Sequence, residues 1–238
     1  MATGWQNRMQ VRSFDQAAID AGLRQYMLSI YNYMTVALVI TGLVAFGVAQ
    51  SPTALHVIFG TPLKWVVMLA PLGFVFLFSA RIQSMSPGTA QLVFWAFAAT
   101  MGLSMASIFL VFTGTSIARV FFITAATFCA ASLYGYTTRT DLSRFGAFLF
   151  MGLIGIVIAM LVNIFLASSA LQFAISVIGV LLFTGLTAFD TQRLKELYAD
   201  SYDRDTLGRL AIMGALQLYL DFINMFTFLL QLLGQSRD

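Results

Sequence analysis

Residues Leu216–Leu233 read LQLYLDFINMFTFLLQLL, eighteen residues with a single charge, Asp221, placed twelve positions beyond the last cation, Arg209. As a helix, a run of this length and apolarity covers most of a bilayer's hydrocarbon layer of about 30 Å. An Asp at such a depth costs about 2.5–3.5 kcal/mol to insert, so it needs a partner or a watery cavity. At 100° per residue, Gly214, Gln217, Asp221, Asn224 and Gln231 share one arc of about 100°. Leu218, Leu220, Phe222, Met225, Phe226 and Leu229 occupy the rest. A helix with one polar stripe turns that stripe toward protein or water, which predicts that this span is the central helix of a bundle.

Working outward, six more runs approach or reach spanning length: Met27–Ala49, Leu63–Ala80, Ala90–Phe112, Ile117–Tyr136, Phe145–Leu166 and Leu171–Asp190, with the last span widened to Leu210–Leu233. They are continuous rather than alternating and too long for barrel strands. Four small residues, ASSA at 167–170, separate spans five and six as a tight helical hairpin. Over 238 residues, 59% are hydrophobic and 10% charged, with a mean hydropathy of +0.85. Soluble domains carry about 25% charge, so a soluble globular domain is excluded, and so is disorder. The expected fold class is all-α: one polytopic membrane domain, 1–238, with a polar lead-in at 1–26 and a polar connection at 191–209. The first 26 residues contain no apolar run and predict no cleavable signal. Phe14, Ala18, Leu23 and Tyr26 give residues 13–26 helical spacing, read as an extension of the first helix rather than an interfacial segment. Asp203 or Asp205 is expected to cap the last helix. Lys and Arg are scattered singly, which argues against a nucleic-acid partner.

Lys and Arg counted by side set the orientation. With the N-terminus in the cytosol, ten cations lie inside and three, Lys64, Arg119 and Arg237, outside. The count predicts an odd number of spans and a C-terminus outside.

Two of the ten acids lie within spans, Asp190 at the end of LLFTGLTAFD and Asp221. If helix six runs to Ala199 and helix seven starts near Ala211, the two carboxylates lie about 14 and 15 Å from the helix ends, level with each other. Two unit charges about 4 Å apart at an effective dielectric of 20 repel by roughly 4 kcal/mol. Such a pair is expected to hold one proton in common and to titrate as a unit in the physiological range, and its hard oxygens can attract Ca²⁺. Arg81, ending span two on the same side, is within reach as a charge-assisted lock, or serves only topology. Asn163 reads as a buried hydrogen-bonding residue with a lesser claim to line a path, alongside Gln217 and Asn224. His56 reads as surface, Cys129 as core, and Gly102, Ser104, Ala106, Ser107, Gly152 and Gly155 as close-packing positions between helices.

The segments ISVIGVLLFTGLTAFDTQRLK (175–195) and GALQLYLDFINMFTFLLQLLG (214–234) resemble the last two spans of the transmembrane Bax-inhibitor-motif family in its bacterial branch. The YLDFIN hexamer around Asp221 is the most specific part, joined by TTRTDLSRFGAFLFMGLIG (137–155) and VNIF (162–165). The resemblance implies seven helices with the last enclosed by the other six, in the bacterial inner membrane. It implies that Asp190 and Asp221 form a pH-sensing pair, that Arg81 latches onto it in the closed state, and that the activity is a pH-sensitive Ca²⁺ leak. Some members carry a further acid in span two; the corresponding WVVMLAPLGFVFLFSA (65–80) has none.

The leading expectation is therefore a passive, proton-gated cation leak without a cofactor, with Ca²⁺ and protons as its ions and the lipid bilayer as its surroundings. A second is a membrane interaction protein that modulates a membrane-anchored protease or a stress response, as linked to bacterial relatives. An enzyme is not expected. An intramembrane aspartyl protease would carry Gly before its second Asp and a later PAL motif, whereas Leu220 precedes Asp221 and no PAL follows.

Overall fold

A computed structural model of the chain describes the backbone of residues 3–237 and the side chains of residues 19–237. Nine α-helices follow one another among the described residues: α1 (Thr3–Ala49), α2 (Pro52–Phe59), α3 (Leu63–Arg81), α4 (Pro87–Met105), α5 (Ile108–Val111), α6 (Gly114–Thr137), α7 (Ser143–Leu166), α8 (Ser169–Glu196) and α9 (Arg204–Leu233). Seven segments are long and apolar enough to cross a membrane, and each overlaps one of the expected runs. The lead-in is continuous with span one in α1, although the side chains of Arg8, Arg12, Phe14 and Ala18 lie outside the described residues.

Local chemistry sets the breaks. Ser51 and Ser86 stand at N-caps with a Pro in the first turn, and their hydroxyls accept from Ala54 N (3.2 Å) and Thr89 N (3.3 Å). These side chains satisfy amides that have no partner within the helix. Between spans five and six, Ala167 takes a left-handed conformation (φ 47°), Asn163 Oδ1 accepts from Ser168 N (3.0 Å) and Ser168 caps α8. The ASSA stretch is thus a hairpin, as its small residues imply.

Two features depart from the expected pattern. The connection between spans one and two folds into α2, and the third run breaks after Met105, where Ser107 Oγ donates to Ser104 O (3.0 Å) and competes with the helical ladder. Of the small residues, Gly102 is a true close approach, since an added Cβ would lie 2.7 Å from Thr41 O. Gly155 has open space around it and is no packing position.

Burial ranks the spans. In α9, 61% of the most apolar window is buried, against 6% in α7. α9 packs on α1, α4, α6 and α8, while α3 packs on α4 and α7 on α8. The central helix is therefore ringed by four spans, with α3 and α7 outside, rather than enclosed evenly by six. Lipid is as apolar as Leu, so close packing must hold the bundle together. Tyr219 meets Phe94 and Phe97 edge to face, and Phe222 meets Phe121 and Phe128 in the same way. Gly135 lets α6 press on the backbone of Ala188 in α8.

Candidate functional site

α8 stops at Glu196 and α9 begins at Arg204, so the helix ends assumed from the sequence are displaced, that of α9 by about two turns. The first turns of α9 run past the end of α8, where Gly208 rests against Pro87. Asp190 and Asp221 nevertheless meet. Each is 5% exposed, and their carboxyl groups lie within hydrogen-bonding reach of each other. Asp190 is therefore buried between helices and does not snorkel to the surface.

Gln217, one turn before Asp221, lines the same cavity as Asp190. Asp221 Oδ2 is buried without a partner. Ionised carboxylates carry only acceptors, so a hydrogen bond between the two requires a proton on one of them.

The pair lies in a cavity of about 670 Å³ between α7, α8 and α9, which Gln217 and Asn224 also line. The polar stripe of α9 faces this cavity, because α7 leans on α8 and leaves that side of α9 only partly covered. Asn224 Nδ2 is turned back to Leu220 O (2.8 Å). Asp190, Asp221, Gln217 and Asn224 thus converge on one cavity.

Two other candidates lie elsewhere. Arg81 is exposed at the end of α3, does not line the cavity, and its side chain has no hydrogen-bond partner among the described residues. α3 packs on α4, away from the α7–α8 side, so Arg81 does not latch the pair in this structure. Asn163 ties the α7–α8 hairpin at the far end of these helices. Its Nδ2 donates to Gln172 Oε1 (3.1 Å), and Gln172 Nε2 donates to Gln231 Oε1 (2.7 Å). It is a hairpin residue rather than a neighbour of the pair.

Sequence reasoning missed Arg193, assigned only to topology, which lines the pair's cavity. Its position three residues after Asp190, on the same helical face, is the signal that pointed to it. It also missed Gln192, buried beside Asp190's turn, which accepts from Leu142 N (2.7 Å) and donates to Thr140 O (2.9 Å). Cys129, expected in the core, is exposed.

Two carboxylates do not by themselves make a tight metal site. Ca²⁺ takes six to eight oxygen ligands, and among the described residues no three His, Cys, Asp or Glu side chains come together.

Comparison with known proteins matches residues 23–238 to the family model described as Inhibitor of apoptosis-promoting Bax1. RP147 of Rickettsia prowazekii is 47% identical over 219 residues, covering 92% of this chain and 93% of its own. Inner membrane protein YbhL of Escherichia coli K12 is 47% identical over 220 residues, 91% of this chain and 94% of its own. A Caulobacter vibrioides protein is 42% identical over 98% of both chains. A family match over nearly the whole chain, joined to seven spanning helices, places the chain in the bacterial inner membrane as a multi-pass member of the Bax inhibitor family.

Proposed function

We propose that this protein is a passive, proton-gated cation leak with Ca²⁺ as its cargo and no catalytic activity, its N-terminus cytosolic and its C-terminus outside. The contact of Asp190 with Asp221 in a shared cavity carries the reading. With one proton between them, the carboxyls join α8 to α9 and the cavity holds one negative charge. With the proton gone, two like charges about 4 Å apart at a dielectric of 20 repel by roughly 4 kcal/mol. A cation relieves that repulsion, with the amide oxygens of Gln217 and Asn224 and water completing its shell. So sparse a donor set suits passage rather than storage. Arg193, not Arg81, is the cation placed to compete for the carboxylates.

The test is Ca²⁺ flux into liposomes against pH for the native protein and for Asp190→Asn, Asp221→Asn, Arg193→Ala and Arg81→Ala. Either Asn change should flatten the pH response. Arg193→Ala should move its midpoint and Arg81→Ala should leave it in place. An unchanged pH curve in both Asn variants would refute the sensor. The alternative reading, an interaction protein acting on a membrane-anchored protease, rests on the long extension of α1 ahead of its span. Removing residues 1–20 separates the two, because partner binding would be lost while flux persists.

A further inference from the structure

A second side of α9 is also uncovered. α1 and α6 each pack on α9, and between them runs an apolar groove. One half is a cavity of about 800 Å³ reaching from Arg24 to Leu38 along α1, and the other is a cavity of about 480 Å³ continuing to Phe46. They meet at Leu38, Phe121 and Phe222, which line both.

The polarity of this groove is uneven. Its deep part is mostly apolar, whereas the end at Arg24 is polar and basic. Arg24 is exposed there. Tyr136 lines the same end and carries Lys195, whose Nζ donates to Tyr136 O (2.9 Å) and lies 5.2 Å over the ring. That bond uses one of the ammonium's three donors. Asp20 and Glu196, the acidic neighbours along the two helices, do not line the cavity. From Arg24 to Leu38 is about 21 Å of helix, somewhat more than the hydrocarbon of one leaflet, about 15 Å. Arg24 therefore sits where a headgroup phosphate lies when an acyl chain fills the groove, and Lys195, which does not itself line the cavity, stands against Tyr136 at the same end.

We propose that the groove between α1 and α6 is a binding site for an anionic phospholipid of the leaflet on the Arg24 side. Its acyl chain lies against α9 as far as Phe222, and its headgroup is held by Arg24 and Lys195. A zwitterionic lipid enters the same groove but gains less from the two cations. This site is separate from the carboxylate cavity, so it stands or falls independently of ion flux.

Cys129, the one cysteine of the chain, is exposed and lines this cavity. A small bimane label there reports contact with lipid chains. The protein is reconstituted in phosphatidylethanolamine vesicles with rising fractions of dibrominated phosphatidylglycerol or dibrominated phosphatidylethanolamine of matched chains. Phosphatidylglycerol should reach half-maximal quenching at a mole fraction about fivefold lower, the order expected for one basic group near a membrane surface. Arg24→Lys should keep the preference, and Arg24→Gln with Lys195→Gln should abolish it. Ala125→Phe, which fills the groove, should reduce quenching by both lipids. Equal quenching by the two lipids in the native protein would overturn the proposal. So would a preference that survives the double Gln change, or quenching undiminished by Ala125→Phe.

Discussion

Tyr219 of α9 shares a hydrogen bond of 2.7 Å with Thr41 of α1, and neither residue is more than 4% exposed. Thr41 Oγ1 already donates its own proton to Ala98 O (2.9 Å), so the Tyr219 hydroxyl is the donor to Thr41. Three helices, α1, α4 and α9, are joined through Thr41, whose partner Tyr219 lies two residues before Asp221.

The chain of donors sets an order of costs. Tyr219→Phe removes one bond and leaves Thr41 satisfied by Ala98, a loss of about 1 kcal/mol. Thr41→Val strands the tyrosine hydroxyl in a dry interior, which costs about 1–3 kcal/mol. Thermal unfolding in detergent should rank Thr41→Val below Tyr219→Phe. The reverse order would mean that the donor assignment is wrong.

Gly135 and Gly155 should part company. An added Cβ at Gly135 would lie 2.8 Å from the backbone carbon of Ala188, and backbone cannot give way as a flexible side chain does. Gly135→Ala should destabilise by about 1–3 kcal/mol through overpacking. Gly155 meets nothing within 4 Å, so Gly155→Ala should be neutral or gain up to about 1 kcal/mol of helix propensity. Equal melting temperatures for the two variants would count against the close approach of α6 and α8.

Asp203 stands at the N-cap of α9 in extended backbone, outside the membrane. The Thr206 hydroxyl beside it, more than any other group, holds its carboxyl below the ordinary carboxylate range. A carboxyl depressed on folding contributes stability that is present above its unfolded pKa and is lost as pH falls through the folded value. Asp203→Asn should therefore melt lower than the native protein at pH 7, and the two curves should begin to converge once pH falls below about 4, the ordinary aspartate value. A gap that stays constant from pH 7 to pH 3 would show that the charge plays no part.

Gln192 clamps the α6–α7 connection by one accepted and one donated bond. Gln192→Leu should release residues 138–142, seen as faster amide exchange and faster tryptic cleavage at Arg139. The expected loss is about 1–3 kcal/mol of local protection. Gln192→Glu, which keeps the acceptor for Leu142 N but not the donor for Thr140 O, should fall between the two. Identical exchange in all three proteins would remove the clamp from the account.

The spans were legible because hydropathy acts along the chain. Each apolar run can satisfy its backbone only as a helix, whatever its neighbours. The polar stripe of α9 was legible for a similar reason, since Gln217, Asp221 and Asn224 fix a face by spacing alone. Helix ends were not. Nothing local stops α8 at Glu196, whereas Asp203, one of the two expected caps, does stand before α9 at Arg204; the contact of Gly208 with Pro87 belongs to the tertiary fold. Arg81 and Arg193 illustrate the same limit. Both flank spans on the side assigned to the cytosol, and only the packing of α3 on α4 and of α7 on α8 decides which one sees the carboxylates. Cys129 was misplaced because an apolar neighbourhood in sequence does not distinguish a protein interior from a lipid-facing groove.

Beyond Leu233 the chain turns back. Gln235 and Arg237 exchange main-chain bonds with Thr113 (3.1 Å) and Val111 (2.8 Å), Gln235 N donates to Ser116 Oγ (2.9 Å), and the Arg237 guanidinium reaches Phe109 O (2.8 Å). Mechanically, α9 is a lever whose fulcrum is riveted at one end. A piston stroke along its axis would shear those rivets, whereas a swing of the Arg204 end leaves them intact, and Asp221 sits partway along the arm where a small tilt becomes sideways travel.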